Sequence, residues 1–159
     1  MEEPYLPKSD FIWMVVNEDV PLTGSEAADQ NLRLLIGFTR DPDVSNRDWA
    51  TMTLAMQEID TAEVREALLA AAEDTDAVVR AEALEGLALR DKALALPLVK
   101  RELEGEDCAY ATFQAAGLIA HPSLLDGLRA WAGRGTASWI DSTIDDAIAA
   151  CEAADAGRA

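Results

Sequence analysis

The chain has 159 residues, the size of one domain, with 30 acidic against 13 basic residues, a formal net charge of −17, and 50% apolar but only 6% aromatic positions. Such a chain buries about 70% of the surface its unfolded form exposes, and its hydrophobicity argues against intrinsic disorder. The charge argues against a surface for nucleic acid or anionic lipid, both of which need Lys and Arg facing phosphate, and no run of about 18 apolar residues offers a membrane span.

Met1-Glu2-Glu3-Pro4 lacks the positive region and apolar stretch of a secretory signal, so a cytoplasmic chain is expected, with Cys108 and Cys151 reduced. Residues 1–24 hold Pro4, Pro7, Pro21 and Gly24 and are expected to form an N-terminal cap, with Phe11, Ile12, Trp13 and Val15 folded over the first helix pair. The alternative is a partner-binding arm. Phe11-Ile12-Trp13-Met14-Val15-Val16 is the one run that could be a strand.

From residue 25 to 153 the pattern is helical, rich in Ala, Leu, Glu and Arg, which lose the least entropy in a helix. Ser25 with Glu26, Thr61 with Glu63, and Pro122 after His121 read as helix starts. Four helix pairs are predicted: 29–40 with 45–58, 61–73 with 76–90, 92–104 with 108–120, and 122–133 with 137–153. Residues 154–159 are expected to fray.

The chain also repeats itself. Asp41-Pro42-Asp43 precedes Arg47-Asp48-Trp49-Ala50, and thirty-three residues later Asp74-Thr75-Asp76 precedes Arg80-Ala81-Glu82-Ala83. Gly86-Leu87-Ala88 returns as Gly117-Leu118-Ile119. Pro42 cannot continue a helix, so Asp43 and Asp76 are free to accept amide hydrogens at the next helix start. Val79, Ala83 and Leu87 at i, i+4 and i+8 form one buried stripe.

The run from Asp74 to Ala88, with its D-x-D turn, V-R pair and Gly-Leu, resembles the HEAT-like repeat of bacterial and cyanobacterial proteins, including the type found in pigment lyases. The resemblance covers about residues 29–133. It implies an all-α fold, a right-handed α-solenoid of about four helix pairs with an N-terminal capping segment. Asn46 stands where Val is usual, and Ala111 where the third Arg belongs, so an Asp–Arg ladder is broken there.

No catalytic constellation appears. His121 is the one histidine, no Gly-rich phosphate loop is present, and Cys108 lies beside Glu104, Glu106 and Asp107, which oppose a lowered thiol pKa. No enzyme activity, cofactor or metal is expected. The middle of the chain, residues 41–91, has thirteen acids against four bases, a net of −9.

In proteins of the resembled family the second helix of each pair lines the concave face. Aligning the repeats sets Trp49, Glu82 and Phe113 in one column and Met52 with Glu85 in the next, with Met56 beyond. These six are the expected partner-binding residues, suited to a basic protein. The alternative packs Trp49 under the N-terminal segment and Phe113 into the core. The resulting expectation is a non-enzymatic binding scaffold, in a narrower form an immunity-type protein that neutralises a basic toxin. The rival is an enzyme of the HEAT-like lyase or DNA glycosylase kind.

Overall fold

The computed structural model describes residues 2–135 and 137–158. In chain order it holds α1 (Asp10–Val16), α2 (Glu26–Phe38), α3 (Val44–Met56), α4 (Ala62–Ala71), α5 (Ala77–Arg90), α6 (Lys92–Leu103), α7 (Tyr110–Ile119), a 3-10 turn (Pro122–Leu124), α8 (Leu125–Trp131) and α9 (Ser138–Ala156). Among the described residues there is no strand, and no helix is long and apolar enough to cross a membrane. The run from Phe11 to Val16 is therefore helix. Its apolar residues do not alternate with polar ones, and Ile12 and Val15 are buried one turn apart while Trp13 and Met14 face out.

Helices α3, α5, α7 and α9 pack side by side in one layer, and α2, α4, α6 and α8 each back onto the helix after it. This is a stack of four antiparallel hairpins, an α-solenoid. Its core lies between the layers, built from Leu35, Leu54, Leu68, Leu84, Leu87, Val99, Leu128 and Ile144. The stripe of Val79, Ala83 and Leu87 is fully buried there.

The repeated Asp turns explain both the helix starts and the spacing between hairpins. Asp41 accepts the amide of Asp43 at 2.8 Å, and Asp43 accepts those of Ser45 and Asn46 at 2.9 and 3.4 Å. The next turn copies it: Asp74 accepts from Asp76 at 2.9 Å, and Asp76 from Val78 and Val79 at 2.9 and 3.2 Å. Each pair satisfies donors that a helix N-terminus leaves open and sets negative charge at its positive end.

Arginines then tie one hairpin to the next. Arg47 donates to its own turn through the Asp41 carbonyl at 3.1 Å and to the Asp74 carboxylate at 2.8 and 3.2 Å. Arg80 repeats this with the Asp74 carbonyl at 3.0 Å and Glu102 at 3.0 Å. The third turn has Ala111 in place of the Arg, and the ladder stops there. Asn46, the departure in the first repeat, accepts the Ser9 amide at 3.0 Å and so anchors the start of α1 on α3.

Arg90 makes the densest set of polar contacts. Its guanidinium donates to the carbonyls of Leu54, Ala55, Gln57, Ile59 and Gly86 at 2.7–3.0 Å. Those of Ala55 and Gln57 are carbonyls that the end of α3 leaves without helical partners, the Leu54 carbonyl also accepts the Gln57 amide, and a cation there suits the negative end of the helix.

At the other end α9 continues to Ala156, three residues past the predicted helix end at 153, and Arg158 reaches His121 at 3.1 Å. Ala159 of the expected frayed tail lies outside the described residues.

Candidate functional site

The open face of the α3–α5–α7–α9 layer, turned away from the partner helices, carries a groove. It has a volume of about 410 Å³ and is lined by Val15, Val16 and Glu18 from α1 and its end, Met52, Thr53, Met56 and Gln57 from α3 and its end, Glu82 and Glu85 from α5, and Tyr110 and Gln114 from α7. A second hollow of about 750 Å³ adjoins it, sharing Val15, Glu18, Met56 and Gln57 and continuing over Val20, Pro21, Leu22 and Ile59. Spacing of three and four residues sets Met52 with Met56, Glu82 with Glu85, and Tyr110 with Gln114 on single helix faces.

Four of the six expected binding residues line this groove: Met52, Met56, Glu82 and Glu85. Met56 is 52% exposed, a large apolar side chain left in solvent. Trp49 is half-buried beside the groove, its indole edge-to-face with Trp13 of α1 at 6.0 Å. Its indole nitrogen is buried without a hydrogen-bond partner. Phe113 is not on this face at all. It is 2% exposed and packs in the core with its ring 6.0 Å from that of Trp131.

The reason is a rotation hidden by the glycine alignment. Gly86 faces back to α3, where an added Cβ would sit 2.7 Å from the Ala55 Cβ. Gly117 faces forward to α9, with the Ala147 Cα at 3.7 Å from such a Cβ. The two helices therefore present different faces at aligned positions, and α7 contributes Tyr110 and Gln114 instead of Phe113. Tyr110 continues the face to α9, with its ring edge-to-face on Trp139 at 4.7 Å and its hydroxyl accepting from Thr143 at 3.3 Å.

The electrostatics of the groove differ from those of the rest of the protein. Glu85 is 8% exposed, and Asp48, one turn before Met52 on α3, is 9% exposed. Among the described residues the carboxylates held in ion pairs are Asp43, Asp60, Glu73, Asp74, Asp91, Glu102 and Glu152, and neither these two nor Glu82 is one of them. Burial disfavours their charged form. The Glu82 carboxyl is pushed up to about 7 by burial, with the charges of Glu85 and Asp48 adding to it. Burial also raises Glu85 and Asp48, the latter eased by the neighbouring Tyr5 hydroxyl. Tyr5 itself is raised to about 12 by burial and by Asp48.

Outside the groove the chemistry is quiet. Burial pushes the Cys108 thiol up to about 12, and Cys151 is buried and raised by the same cause. His121 is spent on the turn before α8, where its Nδ1 accepts the Ser123 amide at 3.1 Å. Among the described residues no three His, Cys, Asp or Glu side chains gather as a metal site.

Comparison with known proteins accounts for the architecture. A family model described as HEAT repeats matches residues 32–118. Protein YibA of Escherichia coli strain K12 is 28% identical over 92 residues, which are 58% of this chain and 33% of YibA. The protein of that name in strain O157:H7 gives the same figures. This chain thus spans about a third of the length of the curated relatives it matches. The X-ray structure of E. coli YibA superposes with a TM-score of 0.56 over 86% of this chain and 54% of that one, at 21% identity, a likeness of fold. With the repeat matched over more than half its length and its hairpins stacked in register, this chain belongs to the HEAT-repeat family.

Proposed function

We propose that the protein is a binding scaffold without chemistry of its own, which takes a basic protein partner on the open face of its α3–α5–α7–α9 layer. One observation carries the reading: exposed apolar side chains and unpaired acids coincide there. Met56 and, on the solvent side of α5, Leu89 are left in water, and Trp139 extends the same character to α9. Glu82, Glu85 and Asp48 lie among them with no Lys or Arg in an ion pair. Aromatic and methionine anchors supply contact area, and the net charge of −17 steers a basic partner in. An immunity-type role against a basic toxin is one instance of this reading, supported by the charge alone.

The test is retention on the immobilised chain at low ionic strength, followed by elution with rising salt and identification of what is held. The same binding is repeated with Met56→Ser and Leu89→Ser, both exposed positions. A basic protein retained by the wild type and lost from the variants supports the proposal. Equal retention by the variants, or retention of a pigment or nucleic acid in place of a protein, overturns it.

A further inference from the structure

Glu85 sets the problem. It is a residue 8% exposed that lines the groove, and among the described residues it has neither a hydrogen bond nor an ion pair. Elsewhere in the protein such groups are paired: Glu102 on α6, equally buried, is held by the fork of Arg80, and Asp74 in the turn before α5 by that of Arg47. Among the described residues no Lys or Arg lines the groove. Glu82 stands one helical turn away on the same face of α5, and Asp48 lies on the neighbouring helix. Around them Met52, Met56, Val15 and Val16 supply apolar wall, with the Tyr110 ring on the far side and Thr53, Gln57 and Gln114 as neutral polar neighbours.

A ligand that satisfies both features needs a long apolar stem and a cationic head. Lysine and arginine side chains are built that way, their methylenes covering apolar surface while the head finds its counter-ion. Tyr110 adds an aromatic face that such a head can approach. The adjoining hollow, which sets Val20, Leu22 and Ile59 among Glu18, Thr23, Gln57 and Glu58, extends a mixed apolar and acidic surface beyond one side chain's reach, which suits an amphipathic segment and not an isolated ion.

We propose that Glu82 and Glu85 form a subsite for one lysine or arginine side chain of a basic amphipathic segment in a partner protein, with Met52, Met56 and Val15 receiving its stem and its apolar neighbours. This rests on the reading of the open face as a protein-binding surface, and it names the chemistry that the partner carries.

Binding at this subsite depends on pH. The titratable groups facing it are Glu18 at the end of α1, Asp48 on α3, Glu82 and Glu85 on α5, and Tyr110 on α7. In the free protein Glu82 holds its proton up to about pH 7. A cation binds the ionised form, so the proton must leave first, and affinity rises about tenfold from pH 6 to pH 8.

The experiment uses the full chain and a fluorescein-labelled helical peptide of leucine and lysine in amphipathic order, followed by anisotropy at low salt. Glu85→Gln and Glu82→Gln are each compared with Asp126→Asn, which removes one exposed charge on α8. Thermal melts check that every variant is folded. The expected result is a loss of about 30-fold for each groove variant, little change for Asp126→Asn, and the tenfold pH effect abolished in Glu82→Gln. Spermidine, a polycation without apolar side chains, should compete only weakly. Equal losses for all three variants, no binding by the wild type, or spermidine binding as tightly as the peptide would overturn the subsite. Binding that survives both Gln variants but is lost on Met56→Ser also overturns it, while leaving the open face as a binding surface.

Discussion

Replacing Glu82 by Gln should make the protein more stable, by an amount that depends on pH. The folded protein raises this carboxyl from 4.5 to about 7, so the native state binds its proton more tightly than the unfolded chain does. The stability that comes from this proton is fully present below pH 4.5 and is lost as pH rises through 7. Each tenfold difference in proton affinity between the two states is worth about 1.4 kcal/mol, which gives about 3 kcal/mol at pH 8, or about 2 after allowing for partial contact with water. Gln is neutral throughout and escapes the penalty. Thermal unfolding followed by circular dichroism at pH 8 and pH 4.5 measures the difference. At pH 8 the variant should melt about 4–8 °C above the wild type, and at pH 4.5 the gap should shrink to below about 1 kcal/mol. A variant no more stable than the wild type at pH 8, or one with the same advantage at both values, would refute the picture of an unpaired, partly desolvated carboxylate in the groove.

Other consequences concern the scaffold. Arg90→Ala removes a cation from five carbonyls and should cost about 3–5 kcal/mol by urea unfolding. Arg90→Lys should recover only part of that, since one ammonium cannot match the guanidinium fork; full recovery would contradict the geometry. Gly86→Ala drives a methyl to 2.9 Å from the Ala55 backbone and should lose about 1–3 kcal/mol, whereas Gly117→Ala, with nothing closer than 3.7 Å, should gain up to about 1 kcal/mol in helix propensity. Melting temperatures moving in the same direction for both would dispute the rotation of α7. Cys108, raised to about 12 by burial, should not react with a thiol reagent in the native protein at pH 8. Labelling within minutes would show the thiol to be accessible.

The hairpins are readable in the sequence because their determinants are local. Asp at the turn, Arg four residues on, and an i, i+4, i+8 stripe are all visible within fifteen residues. What the binding face contains depends instead on how each helix is rotated, and that is set by contacts across the stack. Aligning Gly117 with Gly86 draws Phe113 to the open face, yet the two glycines meet different neighbours. Tyr110 and Gln114 could have been found from the missing Arg at Ala111, which signals that the third turn does not copy the second. Asp48 carries a plain local signal, one turn before Met52 on the same face. Val15 and Val16 carry none, because their arrival at the groove depends on Asn46 holding Ser9 at the start of α1.

The most direct test of the central claim, that partners dock on the open face, is a map of backbone amide shifts as the leucine–lysine peptide is added to the labelled protein. The perturbed amides should fall on α3, α5 and α7 around Met52, Met56, Glu82, Glu85 and Tyr110, and should vanish in Glu85→Gln. Perturbations spread over α2, α4 and α6 would contradict it, whereas a map on α3, α5 and α7 unchanged by that substitution would contradict the Glu82–Glu85 subsite alone.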